Sequence, residues 1–462
     1  MVPPREAGVG TANPANQDYL HSRPLYDTRI ERIRPARFTR SHHTFRALRV
    51  RNFRWYFVAQ ICSISGNNAQ TVAMGWLVLQ LTHSAVTLGV VTAAQFLPLL
   101  VLAPLLGGVI DRFDKRSILI ITQVCALTIA ALLGVLSTLD RIGALGIGIL
   151  ALLLGMVNAV DSPTRQAFIR EMVGTDLLSN AVSLNNVLMG VARMAGPVIA
   201  GLAIAVAGIP ACFFFNAASF VAVLVALCAI RVAECSDRPS MADNATLRRG
   251  FRYVLATPEV RSGLLIMTLV GTFTYEFWIT IPVLAQDVFQ QSASGYAALM
   301  TALSIGSVIG GLVIARRDTV GRRELLIGTA AFGATTLAVG LSPSIGVAFG
   351  AILLMGVAYS AFAALSSSVL QLNTDSAYQG RVMALWAAAF MGSTAVGGPL
   401  MGWIADQYGA RTALIVGGLV ALAAAGGSTR WRAGTKETRN VERSTSPPTR
   451  KEPRDGEVQR AK

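Results

Sequence analysis

Long, unbroken apolar stretches constrain this chain more than anything else in it. From Phe53 to Leu81, and again from Thr82 to Ile110, the run is interrupted only by small and uncharged polar residues. About 18 such residues in a helix cover the roughly 30 Å of hydrocarbon in a bilayer. One buried helix of a soluble protein can be as apolar, but a dozen in succession would find no soluble core to enclose them. Charged residues make up 14% of the chain, against about 25% in soluble domains. The chain therefore reads as an all-α membrane protein.

Breaks between the runs give twelve spans, at about 54–80, 84–110, 118–138, 143–160, 180–207, 209–230, 262–285, 293–315, 324–341, 345–371, 381–405 and 411–429. This divides the chain into a basic tail (1–49), a six-helix bundle (50–230), a charged linker (231–260), a second six-helix bundle (261–431) and a tail (432–462). Both tails read as disordered. Within the linker, a short amphipathic helix is expected around Ala245–Leu255.

The net charge of +15 raises the question of nucleic acid. Its placement argues for topology instead. Basic residues crowd the tails and alternate loops, without aromatic interleaving or a nucleic-acid motif. With the N-terminus in the cytoplasm, all but Arg141, Arg411 and the intramembrane Arg193 of the 40 Lys and Arg fall inside. Cationic loops resist translocation, so this asymmetry orients the chain. Both termini are expected in the cytoplasm, in a bacterial inner membrane, with the first span acting as insertion signal. The five Cys form no CxxC pair and indicate neither disulfides nor a metal site. No P-loop, HExxH or GxSxG sequence occurs. The expectation is a non-enzyme without cofactor that functions as a monomer.

The two halves repeat one another. NAVSLNNVLMGVARMAGPVIAGLAIAVAG ends at Gly208, and RVMALWAAAFMGSTAVGGPLMGWIADQYG ends at Gly409. Gly-Pro, a following Gly and a closing Gly recur at nearly matched spacing. Such a repeat suggests two bundles rocking about a shared central site.

The loop after the second span reads Gly107-Gly108-Val109-Ile110-Asp111-Arg112-Phe113-Asp114-Lys115-Arg116. It resembles the G-x-L-A-D-R-x-G-R-K/R signature of the major facilitator superfamily, departing at Asp114, where the signature has Gly. A worn copy occupies residues 314–323. Solvated cations that merely enforce topology are one reading of this loop. The resemblance implies another, in which Asp111 latches onto the start of the eleventh span, at Arg381, and closes the cytoplasmic side. The fifth span carries Gly190, Gly196, Pro197 and Gly201, similar to the Gly-Pro motif of drug–proton antiporters. Tight helix packing explains these residues as well as an antiport role does. Three longer pieces (FRALRVRNFRWYFVAQICSISGNNAQ, VDSPTRQAFIREMVGTDLLSNAVSL and GPVIAGLAIAVAGIPACFFFNAASF) narrow the resemblance to the bacterial transmembrane secretion effectors. That branch implies export of a drug-like, macrolide-like or siderophore-type small molecule, with protons as coupling ion. Import of a small solute, or sensing without transport, is the alternative.

Ionisable residues inside a membrane are costly and mark function or pairing. Arg193 and Glu276 meet that description. Glu276 stands in a four-residue series with Thr268, Thr272 and Thr280, so these four are expected on one helix face. The resemblance places the seventh helix at the cavity. Glu276 is then a proton-coupling or substrate residue, or a structural partner of Arg193. Asn67, Gln70, Thr272 and Tyr359 are expected to supply polar cavity lining. Trp76, Phe96, Phe273, Trp278 and Trp386 are candidates for stacking a ligand or for packing. Asp161 and Arg165 are expected in a cytoplasmic loop closing the fourth span, where they organise the inner mouth.

Overall fold

The computed structural model describes residues 46–110, 113–230, 247–316, 320–375 and 378–445. Tail residues 1–45 and 446–462, and linker residues 231–246, lie outside the described residues. After a turn at Arg46–Arg49, the helices are α1 (Arg51–Thr82), α2 (Ala85–Ile110), α3 (Lys115–Thr138), α4 (Ala144–Ala207), α5 (Ile209–Ala229) and α6 (Leu247–Ala256). There follow α7 (Pro258–Phe273), α8 (Phe277–Val283), α9 (Ala293–Ala315), α10 (Arg322–Gly340), α11 (Ile345–Leu372), α12 (Gln379–Tyr408) and α13 (Ala410–Thr445). Among the described residues, the twelve expected spans are all present as helix.

Ten of these spans are long and apolar enough to cross a membrane by composition alone. The other two are α1 and α10. Gln60, Ser63, Ser65, Asn67, Asn68 and Gln70 lower the hydropathy of α1. At the head of α10, Arg322, Arg323 and Glu324 do the same. Both pack against helices of their own half, α1 on α4 and α5, and α10 on α11 and α13. The outer surface is apolar, as lipid requires: Leu145, Leu202 and Val206 are all largely exposed.

Three boundaries depart from the sequence reading. The fourth and fifth spans join in one helical stretch whose break falls at Gly174 (φ 68°), not at residue 160. Asp161 and Arg165 therefore lie within the first arm of α4 rather than in a loop. They are four residues apart and form an ion pair, and this mutual neutralisation lets the helix continue past them. The seventh span is interrupted: α7 stops at Phe273 and α8 starts at Phe277, followed by one wide turn at Leu284–Val288. The Thr274 hydroxyl donates to Gly417 O (2.8 Å) on α13, and Pro282 has no N–H to donate to the preceding turn. Finally, α13 continues to Thr445, past the expected boundary at 431.

The repeat is visible as packing. Added side chains at Gly196 and Gly397 would collide with α1 and α7, at Asn68 Cβ and Thr272 O. Gly201 and Gly402 face the opposite half, against Ala297 on α9 and Ala85 on α2. Gly208 (φ 79°) and Gly409 (φ 88°) end the two stretches in the left-handed conformation that glycine tolerates. Each pair is separated by the same interval in sequence.

Candidate functional site

The first half supplies α1 to α5 and the second α7 to α13. Between them lies a central chamber of about 320 Å³. Its first-half wall is polar: Asn67, Asn68 and Thr71 on α1, Thr92 and Gln95 on α2, and Asn158, Ser162, Arg165 and Arg193 on α4. The second-half wall is aromatic, from Tyr275, Phe277, Trp278, Tyr359 and Phe390. Tyr275 and Tyr359 are hydrogen-bonded through their hydroxyls. Edge contacts lock these rings together, Tyr275 to Phe390 at 4.6 Å and Phe277 to Tyr359 at 5.2 Å between centroids. Their positions are thus fixed before any ligand arrives.

The break in the seventh span decides which side chains enter. Tyr275 faces the chamber, whereas Glu276 is turned away, 1% exposed. Both Glu276 carboxylate oxygens lack a hydrogen-bond partner among the described residues. Oε1 lies against Gly397, and the Thr394 hydroxyl is the nearest donor to the carboxylate. Thr272 donates to Thr268 O and turns its own carbonyl toward Gly397. The expected common face of Thr268, Thr272, Glu276 and Thr280 is therefore not continuous and does not line the chamber. Nor are Glu276 and Arg193 paired. Arg193 stands exposed in the chamber wall with no carboxylate in salt-bridge range among the described residues.

Of the expected polar lining, Asn67 and Tyr359 reach the chamber and Gln70 does not. Gln70 is buried and accepts from Asn216 Nδ2 (2.9 Å) on α5, joining two helices of the first half. Of the aromatic candidates, Phe96 and Trp278 line the chamber. Trp76 stacks on Tyr296 at 5.6 Å and Trp386 on Phe390 at 5.1 Å. Tyr275 and Phe390 escaped the sequence reading. For Tyr275 the available signal was the Phe273–Trp278 aromatic cluster around Glu276.

Asp161 is 2% exposed and accepts hydrogen bonds from Thr122 Oγ1 (3.0 Å) and Gln123 Nε2 (2.9 Å), besides its ion pair with Arg165. Arg165 also donates to Gln60 Oε1 (3.2 Å) and reaches the chamber. This cluster ties α1, α3 and α4 together.

Asp111 and Arg112 lie outside the described residues, and Gly107 falls in the last turn of α2. Asp114 is the N-cap of α3, accepting from Ser117 N (2.8 Å) and Ser117 Oγ (2.6 Å). Partial burial pushes its carboxyl pKa up, but the Ser117 and Arg116 donors outweigh this and hold it below the usual value. Lys115 pairs with Glu171 at 3.3 Å. Arg116 donates to Leu227 O (2.9 Å) and Cys228 O (3.1 Å), capping the end of α5. Arg381 lies over the Tyr378 ring at 5.2 Å, and Tyr378 stacks on Tyr253 of the linker helix α6 at 4.3 Å. In the Gly-Pro segment, Gly196 and Pro197 are buried, Gly201 meets the opposite half, and Gly190 has open space beside it.

At the end of the bundle remote from the start of α1, the halves close on each other. Asp406 of α12 accepts from Ser84 Oγ (2.8 Å), Ala85 N (2.6 Å) and Val86 N (3.1 Å), so it caps the start of α2. Gly89 and Gly398 bring the same two helices into backbone contact one to two turns further in. A carboxylate on free N–H groups at a helix start stabilises by about 0.5–2 kcal/mol. Asp406→Ala should therefore shift the balance toward an open remote end by roughly 2- to 30-fold. Spin-label distances between loops 139–143 and 342–344, one in each half, would lengthen; an unchanged distribution would show that Asp406 is no latch.

The sequence pattern of transmembrane secretion effectors matches residues 42–458. The staphyloferrin A transporter of Staphylococcus aureus is 29% identical over 56% of this chain and 66% of its own length. The multidrug efflux pump Tap of Mycolicibacterium fortuitum is 26% identical over 76% of this chain and 88% of its own. The enterobactin exporter EntS of Shigella boydii is 26% identical, covering 76% and 84%. Among solved structures, a bacterial homologue of the human lysosomal transporter Spinster, in its inward-facing and unoccupied conformation, superposes with TM-score 0.64 at 13% identity, covering 82% of this chain and 94% of that one. A D-xylose–proton symporter gives TM-score 0.61 at 15% identity, covering 83% and 97%.

Proposed function

Because this chain belongs to the transmembrane secretion effectors of the major facilitator superfamily, we propose that it exports a small molecule by alternating access, as a proton antiporter. The observation that carries this reading is the chamber itself, walled by both halves beneath an end that those halves close together. A ligand held there touches both bundles, so a rocking motion between them moves its exit from one side to the other. The named relatives, two siderophore transporters and a drug pump, support export of a drug-like or siderophore-type cargo. The distribution of Lys and Arg supports cytoplasmic termini. On that orientation the closed end is the outer one, which leaves loading to the cytoplasmic side.

Glu276 is the residue we assign to proton coupling. It sits at the interruption of the seventh span, next to the chamber-lining Tyr275 and against α12, so movement of either helix changes its surroundings. Expression in a strain lacking its own efflux pumps tests the function. Accumulation of at least one of a set of dyes, macrolides and siderophores should fall, and an uncoupler should restore it. If no compound is affected, or the uncoupler makes no difference, the proposal is wrong.

A further inference from the structure

The balance of charge in the chamber narrows what it binds; this step rests on the reading of the chamber as the cargo site. Among the described residues lining it there is no Asp or Glu, but there are two arginines, Arg165 and Arg193. Their situations differ. Arg165 is neutralised by Asp161 and held by Gln60. Arg193 projects into the open space without a carboxylate partner, and the second half's nearest buried acid, Glu276, points away toward α12. The chamber thus carries one uncompensated positive charge in the middle of a membrane protein, where charge is poorly screened and its cost is high. A bound anion lowers that cost; a bound cation raises it.

The wall shared with Arg193 adds a second requirement. Tyr275 and Tyr359 are fixed by their mutual hydrogen bond and by the rings of Phe277 and Phe390. They present a rigid aromatic surface in the same chamber as the guanidinium. A planar, bidentate donor beside aromatic faces suits a carboxylate, or another oxyanion, joined to an aromatic ring. We infer that the chamber selects aromatic or amphipathic anions, with Arg193 as the residue that determines the sign of charge it accepts.

Calorimetry with the full chain in nanodiscs of zwitterionic lipid tests this with three probes of one shape: 2-naphthoate, 2-naphthamide and 2-naphthylmethylammonium. The anion should bind tightest and the ammonium weakest. Arg193→Gln should weaken the anion by about 10- to 100-fold and leave the amide within a few-fold, in keeping with loss of one charged hydrogen-bonding group. Arg193→Lys, which keeps the charge, should retain the order of preference. Equal or tighter binding of the ammonium, no binding of the anion, or an anion preference that survives in Arg193→Gln would each overturn the assignment. The wild-type order needs no variant to fold. Failure of export in cells together with anion-selective binding in nanodiscs would defeat the transport reading and leave this site standing.

Discussion

Asp161→Ala should destabilise the first half by about 1–3 kcal/mol, because it strands a partly buried guanidinium. Asp161 is the common acceptor for Thr122, Gln123 and Arg165, and almost none of it is exposed. Removing it leaves Arg165 charged, with Gln60 as its remaining hydrogen-bond partner, and leaves the Gln123 amide on α3 without its acceptor, while the Thr122 hydroxyl keeps its bond to Leu119 O. The penalty comes from the abandoned partners more than from the lost attraction. Replacing the pair together, as Asp161→Ala with Arg165→Met, should therefore recover more than half of the loss. Thermal unfolding of the purified protein in detergent distinguishes these outcomes. A single variant that melts within a degree of the wild type would mean that water already solvates the cluster, and the pair would not be structural.

This cluster also shows why part of the architecture was legible in the sequence and part was not. Hydrophobic run length is a property of each segment alone, so the twelve spans and their order followed from counting. The Gly196/Gly397, Gly201/Gly402 and Gly208/Gly409 correspondences were visible as a repeat for the same reason. Where a helix ends depends on what its charged residues meet in space. Asp161 and Arg165 look like a loop when read singly, since each alone is expensive in hydrocarbon. Only the ion pair, with Thr122 and Gln123 contributed from α3, makes a helix through them affordable. Asp114 is the converse case. As a departure from the superfamily signature it seemed a loss of a glycine, yet it supplies the N-cap that starts α3.

Side-chain direction was the least legible property. Four-residue spacing assigns residues to a common face only while the helix persists, and the seventh span breaks at the very residue on which that argument relied. The consequence is that Tyr275, not Glu276, enters the chamber. Gln70 was placed correctly on its helix but on the side that meets Asn216, an acceptor–donor match with a residue 146 positions away that no local pattern encodes. Arg193 had no such partner to divert it.

Glu276→Gln should reduce efflux to the level of uncoupler-treated wild type while leaving ligand binding in the chamber within a few-fold. Gln preserves shape and volume and removes the capacity to carry a proton, so the two effects separate only if Glu276 couples without touching cargo. The geometry supports that separation. Glu276 itself is not among the residues that line the chamber, and its carboxylate lies against Gly397 of α12, with the Thr394 hydroxyl, which does line the chamber, as its nearest donor. A buried carboxylate with at most one weak donor beside it is held at high cost in its charged form, whereas water reaching it as α12 moves from α7 would lower that cost. Each rocking cycle would then change proton occupancy at a site adjoining, but distinct from, the ring of Tyr275. Stability should be unchanged or slightly raised in the variant, since a neutral amide replaces an unsatisfied acid. Thermal unfolding, naphthoate binding and uncoupler-sensitive efflux measured on the same variant form the test. Efflux that persists and still collapses with the proton gradient would remove Glu276 from the coupling mechanism. Parallel loss of binding and efflux would make it a cargo residue instead.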